Sequence, residues 1–204
     1  MIRQMPWIGL ALITASLMGP ATANAQCATE LENLNAPDLE YVGLNSSGQR
    51  IWVGQEFVTD CDGKFLMVSF LVDVQLFPEG GVTPLTAGDT VTCTVMDDQN
   101  RPIASVDNKL TLLFGLEWVE FDFGPLELGL AAGTLAVKIS TPQDAYCRVG
   151  TSLNSVPGQL MLGDESSLNY ISTRDAGFRI TWDPAAVIVG VESKSWGELK
   201  ALYR

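Results

Sequence analysis

The chain has 204 residues, a formal net charge of −12 and no histidine. The acidic balance argues against nucleic-acid binding, because phosphates need a basic patch, and it also disfavours anionic membrane surfaces. Without histidine, a Ser–His–Asp or Cys–His catalytic site is excluded, and a zinc site is disfavoured because no C-x-x-C pair is present either.

The N-terminal segment predicts export. Residues 1–25 carry Arg3, an apolar core over residues 7–18 and an A-x-A cleavage signal that ends at Ala25. The apolar core is shorter than the roughly 20 residues that a membrane-spanning helix needs. We therefore expect a secretory signal peptide, no membrane insertion after its cleavage, and a protein that is secreted, periplasmic or at the cell surface.

The mature chain contains all four cysteines, Cys27, Cys61, Cys93 and Cys147. An even cysteine count in an exported protein predicts two disulfides. Three pairings are compatible with the sequence. We favour Cys27–Cys61, which would tie the N-terminal segment to a turn, together with Cys93–Cys147, which would join two strand-like segments.

The first strand signals lie in residues 53–74. Residues 53–59 alternate between the two faces expected of a strand, a polar turn over Asp60, Cys61, Asp62 and Gly63 interrupts them, and residues 65–74 are strongly apolar. Alternation on either side of a Gly-containing turn is typical of a β-hairpin. We expect a hairpin here, with residues 65–74 as a central strand.

Further short strands follow, separated by Gly, Pro, Asn and Asp turns. The predicted strands are residues 41–44, 49–59, 64–77, 90–96, 102–106, 110–114, 117–123, 134–140, 145–149, 159–162 and 177–182. With about ten short strands and no convincing long helix, the sequence predicts an all-β fold, an antiparallel sandwich or barrel. The predicted organisation is a signal peptide (1–25), an N-terminal arm (26–40), in which residues 29–34 could form a turn or two of helix, the sandwich (41–191) and a C-terminal tail (192–204).

Two acidic turns are candidate metal sites. Asp60 and Asp62 precede Gly63, and Asp97 and Asp98 form a second cluster. Calcium prefers about six to eight oxygen ligands, and neither run supplies a full loop. The alternative is that these carboxylates cap their turns. We expect no cofactor, with structural calcium as the open alternative.

The segment Glu117–Phe123 carries the candidate ligand-binding residues. Its alternation places Trp118 with Glu120 and Asp122 on the face opposite Val119 and Phe121. An exposed aromatic ring beside polar groups is the arrangement that sugar-binding proteins use. Packing of Trp118 at an edge of the core is the alternative.

Seven segments follow one another in a consistent order within a span from about 41 to 183, namely residues 54–58, 61–65, 85–91, 118–123, 130–136, 156–160 and 175–180. In this order they resemble secreted bacterial jelly-roll or galactose-binding-like β-sandwich domains. The resemblance implies an extracellular, antiparallel two-sheet β-sandwich of the jelly-roll type, and it supplies no catalytic residue. Some relatives in that broad class bind glycans.

The tail, ESKSWGELKALYR over residues 192–204, is similar to short W-G-x-Leu/Ile-K endings of some exported bacterial proteins. It is either a sorting or surface-attachment signal, or a closing amphipathic turn that follows a final strand over 186–191 and packs Trp196, Leu199 and Leu202. The whole sequence predicts a secreted, non-enzymatic β-sandwich for binding or adhesion, with an extracellular glycan or a surface protein as partner. The alternative is a structural envelope or matrix component without a small ligand.

Overall fold

A computed structural model describes residues 29–34, 36–153, 156–164 and 166–184. The predicted signal peptide, Cys27, the predicted strand over 186–191 and the tail at 192–204 lie outside the described residues. No helix in the described ranges is long and apolar enough to cross a membrane.

The described chain is all-β and forms fifteen strands rather than about ten. The strands are β1 (Glu30–Asn33), β2 (Asp38–Leu44), β3 (Arg50–Thr59), β4 (Gly63–Val74), β5 (Thr83–Pro84), β6 (Thr90–Met96), β7 (Pro102–Lys109), β8 (Gly115–Asp122), β9 (Gly129–Leu130), β10 (Gly133–Ser140), β11 (Ala145–Leu153), β12 (Leu160–Gly163), β13 (Leu168–Ile171), β14 (Arg174–Ala176) and β15 (Phe178–Asp183). A three-residue 3-10 helix, Gly124–Leu126, follows β8. The strands that the sequence missed have two to four residues, too few for alternation to be visible.

The strands form one continuous sheet instead of the two separate sheets expected. Its main path runs β1-β15-β4-β11-β2-β3-β10-β6-β7, and pairing is antiparallel except between β5 and β11. The β2–β3 hairpin makes the sheet continuous, because Gly43 of β2 pairs with Ile51 of β3 while β2 also pairs with β11. One buried cluster contains residues from strands on both sides of this hairpin, which is consistent with a β-sandwich.

The predicted hairpin over residues 53–74 is wrong. Strand β3 pairs with β2, β10 and β12, whereas β4 pairs with β8, β9, β11 and β15. The polar turn between them therefore carries the chain from one side of the core to the other. Asp62 fixes this crossing, because its Oδ1 accepts a hydrogen bond of 2.7 Å from the backbone N–H of Ala132. The central position of residues 65–74 is confirmed by the pairing of β4 along both edges.

Aromatic side chains pack across the core where β3 and β4 face each other. The rings of Phe57 and Phe65 lie 6.5 Å apart, and Phe65 meets Phe123 edge-on at 5.3 Å. All three are fully or almost fully buried. Edge-to-face and offset pairs of this kind add about 0.5–1.5 kcal/mol beyond the burial of apolar area.

A buried polar network also crosses the core. Gln55 donates through Nε2 to Asp175 Oδ1 at 3.0 Å, and its Oε1 accepts from the N–H of Ala176 at 2.9 Å. The backbone N–H of Val156 donates to Asp175 Oδ2 at 3.1 Å. Gln55 and Asp175 are both fully buried, so these bonds satisfy groups that water does not reach.

Part of the predicted N-terminal arm belongs to the sheet. Residues 30–33 form β1 and pair with β15, so the helical turn considered for this segment is absent. Ala36, in the connection to β2, then packs close to Gly150 and Gly177. A Cβ built on either glycine would lie 2.8 Å from the Cβ of Ala36, which explains why both positions lack a side chain.

The predicted Cys93–Cys147 disulfide is wrong, because both cysteines are free and fully buried. Cys93 lies on β6 and Cys147 on β11, on opposite sides of the core. Packed sheets are about 10 Å apart, whereas a disulfide needs Cα atoms about 4.4–6.8 Å apart. Burial raises the pKa of the Cys147 thiol to about 12, so it stays protonated. The Cys27–Cys61 bond remains a prediction because Cys27 lies outside the described residues.

We expect Gly150→Ala to destabilise the fold by about 1–3 kcal/mol, because the added methyl group overlaps Ala36 and overpacking costs this much. Urea unfolding followed by tryptophan fluorescence measures the loss. Combining it with Ala36→Gly removes the closest contact and should recover part of the stability. Additive effects of the two substitutions would contradict the proposed contact.

Removing the buried carboxylate should destabilise the fold more. We expect Asp175→Ala to cost about 2–4 kcal/mol, because the N–H of Val156 then loses its acceptor in the core. Asp175→Asn, which keeps an acceptor oxygen, should cost less. The exposed Asp98→Ala is the matched control and should change stability by less than about 0.5 kcal/mol. Equal stabilities for Asp175→Ala and Asp98→Ala would rule out a structural role for the network.

Candidate functional site

Tyr41 and Arg148 form the centre of the candidate site. They are register partners on the neighbouring strands β2 and β11. Their sequence neighbours Val42 and Cys147 are a buried register pair, and successive side chains on a strand point to opposite faces. Tyr41 and Arg148 therefore lie together on the face that points away from the core.

A network of polar groups surrounds this pair. Arg148 donates through Nη2 to Tyr41 Oη at 3.2 Å, forms an ion pair with Glu79, and lies with its guanidinium carbon 5.0 Å from the centre of the Tyr41 ring. Asp73, on β4, is the register partner of Arg148 on its other side and accepts a hydrogen bond from Gln75. The network fixes the position of the Tyr41 ring from three separate segments of the chain.

A second tyrosine packs beside the first. The rings of Tyr41 and Tyr146 are 5.4 Å apart and inclined at 38°. Tyr146 donates its hydroxyl proton to the carbonyl oxygen of Phe77 at 3.1 Å, which attaches the loop after β4 to β11. The result is an aromatic wall in which both rings are anchored.

Two adjoining cavities open beside this wall, and we call them together the Tyr41 cleft. One has a volume of 410 Å³ and the other 280 Å³. Tyr41 and Ile51 line both. The polar side chains around the larger cavity are Asn45, Ser46 and Glu79, and those around the smaller one are Glu40, Asp164, Ser167 and Asn169. The cleft thus combines an apolar and aromatic wall with carboxylate, amide and hydroxyl groups.

The protonation states in the cleft are set by burial and by mutual hydrogen bonding. Burial raises the pKa of Tyr41, and its hydrogen bond to Glu79 raises it further. That hydrogen bond is also the main cause that lowers the pKa of Glu79, with Arg148 adding to the effect. Tyr41 is therefore protonated and Glu79 ionised at neutral pH. Burial raises the pKa of Asp73, although Arg148 and Gln75 counteract this.

The structure places the predicted residues Trp118, Glu120 and Asp122 on the exposed face of β8, as their alternation indicates. Trp118 is 37% exposed, and the guanidinium of Arg179 lies 5.8 Å from its ring centre. Asp122 accepts a hydrogen bond from the N–H of Gly124 at 2.9 Å. The three residues line neither cavity of the Tyr41 cleft, and their ligand-binding role stays a prediction.

Two of the four predicted metal-binding carboxylates cap backbone groups. Asp62 binds the N–H of Ala132, and Asp97 accepts from the N–H groups of Gln99 and Arg101 at 2.9 and 2.8 Å. The backbone hydrogen bond from Arg101 is the main cause that lowers the pKa of Asp97. Within the described ranges, no group of three or more Asp, Glu, Cys or His residues could hold a metal ion. Calcium binding that involves Asp60, Asp62, Asp97 or Asp98 stays a prediction.

Sequence reasoning missed the residues of the Tyr41 cleft. Tyr41, Glu79 and Arg148 lie far apart in the chain and belong to no short motif. Only the pairing of β2 with β11, and of β11 with β4, brings them together. A charged residue within a strand-like segment, such as Arg148 next to Cys147, was the one available signal, since such a residue needs a partner on its own face.

We expect Glu79→Gln to lower the pKa of Tyr41 toward its ordinary value of 10.0, because the carboxylate disfavours the phenolate. Ultraviolet titration of the wild type and the variant, each compared with its Tyr41→Phe counterpart, isolates this tyrosine. The raised pKa means that the associated stability is complete below pH 10 and is lost as pH rises through the folded-state value. An unchanged Tyr41 titration in Glu79→Gln would contradict the hydrogen bond.

No family model matches the chain, and no curated protein matches its sequence. No residue of the Tyr41 cleft therefore receives a role by transfer from a relative. What the structure shows is an all-β, antiparallel fold consistent with a β-sandwich.

Proposed function

We propose that the protein is an exported, non-enzymatic binding protein of the jelly-roll or galactose-binding-like type, and that it binds a glycan in the Tyr41 cleft. The A-x-A signal that ends at Ala25 supports export. The resemblance of residues 41–183 to extracellular sandwich domains supports the class. Neither feature identifies a ligand, so the choice of a glycan rests on the chemistry of the cleft.

The observation that carries the proposal is the position of Tyr41 and Ile51 between two adjoining cavities. A sugar ring presents an apolar face and a rim of hydroxyl groups. Binding sites for such ligands combine a hydrophobic or aromatic wall with a few fixed polar groups. The Tyr41 cleft provides the wall in its centre and hydrogen-bonding side chains on both sides, so two linked sugar units could occupy the two cavities.

The polar groups match the hydrogen-bonding needs of hydroxyl groups. Asn169 offers both a donor and an acceptor, and the carboxylates of Glu40 and Asp164 offer acceptors. Asp164 is fixed in place, since its Oδ1 accepts a hydrogen bond from the N–H of Ser166 at 2.7 Å. This backbone hydrogen bond is the main cause that lowers the pKa of Asp164. Glu40 is oriented by an ion pair of 2.8 Å with Arg174. Fixed polar groups reduce the ordering cost of binding.

The electrostatics of the cleft support binding rather than catalysis. A general acid or base works best when its pKa lies near the working pH. The pKa of Tyr41 is raised above 10.0 and that of Glu79 is lowered below 4.5, so both move away from neutrality. Their mutual hydrogen bond, together with Arg148, stabilises one protonation state of each group.

The outer face that carries Trp118 is the second candidate surface for the same ligand class. Its ring is 37% exposed, but Arg179 covers part of it, and Glu30 and Glu32 hold Arg179 through ion pairs of 3.2 and 3.1 Å. A sugar that stacked on Trp118 would have to displace or join this guanidinium. The Tyr41 cleft needs no such rearrangement, and we favour it for that reason.

A glycan array with the purified protein, run with and without calcium, tests the proposal. We expect at least one glycan to bind, with affinity reduced tenfold or more by Asn169→Ala and by Tyr41→Leu. Trp118→Ala is the matched control on the other face and should leave binding unchanged. Thermal unfolding of each variant confirms that the fold persists.

The outcomes separate the hypotheses. Loss of binding in Trp118→Ala alone would move the site to β8. Loss of binding on calcium removal would revive the metal prediction for the acidic turns. The absence of any glycan signal would defeat the proposal and favour the alternative, a structural envelope or matrix component. The large apolar side chains exposed at one end of the molecule, among them Phe77 and Phe114, are the observation that favours this alternative.

A further inference from the structure

Large apolar side chains are exposed at one end of the molecule, on two loops and at the start of strand β8, which follows one of them. We call this surface the apolar end. Its members and their exposed fractions are Leu76 (56%), Phe77 (77%), Leu112 (38%), Leu113 (65%), Phe114 (61%) and Leu116 (55%). Single exposed apolar residues are common, but a contiguous group of this size marks an interaction surface.

The sheet brings the two loops together. Val74, the last residue of β4, pairs with Gly115, the first residue of β8. The loop that follows β4 and the loop that precedes β8 therefore leave the sheet at the same end. The segment 110–114 is one of these loops and not the strand that its apolar composition predicts. Leu110 of this segment is buried in the core, whereas Leu112, Leu113 and Phe114 are exposed to solvent.

Internal hydrogen bonds hold both loops in place. The carboxylate of Glu117 accepts from the N–H of Thr111 at 3.2 Å and from the N–H of Leu112 at 3.3 Å. The carbonyl oxygen of Phe77 accepts from Tyr146 Oη at 3.1 Å. The backbone is thus fixed in a conformation that leaves the apolar side chains outside. An ordered surface loses less conformational entropy on binding than a flexible one.

The apolar end is uncharged, although the protein is strongly acidic. Residues 74–78 and 110–116 contain no charged side chain, whereas the whole chain carries a formal net charge of −12. The nearest carboxylates along the chain have partners, since Asp73 accepts a hydrogen bond from Gln75, Glu79 pairs with Arg148 and Glu117 binds its own loop. The nearest cation, Lys109, is exposed immediately before the second segment. A partner that docks here meets apolar groups and no unpaired carboxylate from these segments.

We propose that the apolar end is the interface with a second copy of this chain. Homodimer interfaces and the buried cores of protein–protein interfaces are more apolar than the rest of the surface and are depleted of charged residues, and the apolar end has this composition. Contact through uncharged ends keeps the acidic remainders of the two copies apart, which limits their mutual repulsion. A lipid surface is less well matched, because these segments offer no Lys or Arg to phosphate headgroups and the acidic protein is repelled by anionic lipids.

Sedimentation velocity of the purified protein over a wide concentration range tests this interface. We expect a concentration-dependent shift from one chain to two. Association should strengthen as sodium chloride is added, because salt screens the repulsion between acidic chains and does not weaken an apolar contact. The double variant Phe77→Ser, Phe114→Ser should raise the dimer Kd at least tenfold. Both side chains are exposed, so the substitutions should leave the fold intact, and thermal unfolding checks this.

Leu153→Ser is the matched control, because Leu153 is 77% exposed, as is Phe77, but lies at the end of β11. It should leave the dimer Kd unchanged. A monomer at every concentration would overturn the proposal, and so would a dimer that the double variant does not weaken. Flotation of a monomeric protein with neutral phosphatidylcholine vesicles, lost in the double variant, would identify a lipid surface instead. These results do not depend on the glycan array, since none of the substituted residues lines the Tyr41 cleft.

Discussion

The pairing of strand β4 along both of its edges is the constraint on which the rest of the structure depends. Its twelve residues pair with β15 and β11 on one side and with β8 and β9 on the other. Phe65, Val68, Phe70, Val72 and Val74 from this strand all lie in the core. A strand buried in this way fixes the position of whatever follows it. The chain that leaves β4 therefore reaches both the Tyr41 cleft and the apolar end from a rigid origin.

Arg148 has a comparable role on the outer face. It lies between Asp73 on β4 and Tyr41 on β2, and its guanidinium is bound to Glu79 in the loop beyond β4. A partly buried guanidinium is costly unless anionic and polar partners surround it. Burial by itself lowers the pKa of Arg148, but its bonds to Tyr41 and Glu79 outweigh this and raise it. Because the charge of Arg148 needs partners, residues from three chain segments come together at the cleft.

The sequence predicts the positions of the strands better than it predicts which strands pair. The alternation in residues 90–96 and in Trp118–Asp122 predicts β6 and the exposed face of β8 correctly, because burial of one face imposes a period of two. The same alternation does not identify the neighbouring strand. The turn Asp60–Gly63 has the chemistry of a hairpin, yet it serves equally well to cross the core from β3 to β4. Two buried cysteines likewise share an apolar environment without being close enough to bond.

The segments whose structure the sequence patterns failed to predict are the ones that form the two proposed binding surfaces. Leu112, Leu113 and Phe114 form an apolar run that is normally assigned to the core, but Glu117 holds the backbone before them as a loop, and their side chains are exposed to solvent. The polar members of the Tyr41 cleft gave little signal because no two of them form a motif. Local sequence patterns indicate which side chains of a segment are suited to burial. They do not show which apolar segments stay exposed in the folded protein, or which distant residues come together.

The cleft and the apolar end share one structural element. The chain from Gln75 to Pro84 places Leu76 and Phe77 at the apolar end, and its next residues, Glu79, Gly80 and Val82, line the larger cavity. The bond from Tyr146 to the carbonyl oxygen of Phe77 links the two directly. A contact that buries the Phe77 side chain therefore restrains the backbone that forms one wall of the cleft. Any such restraint is reciprocal, so that a ligand in the larger cavity would in turn restrain the backbone that carries Phe77.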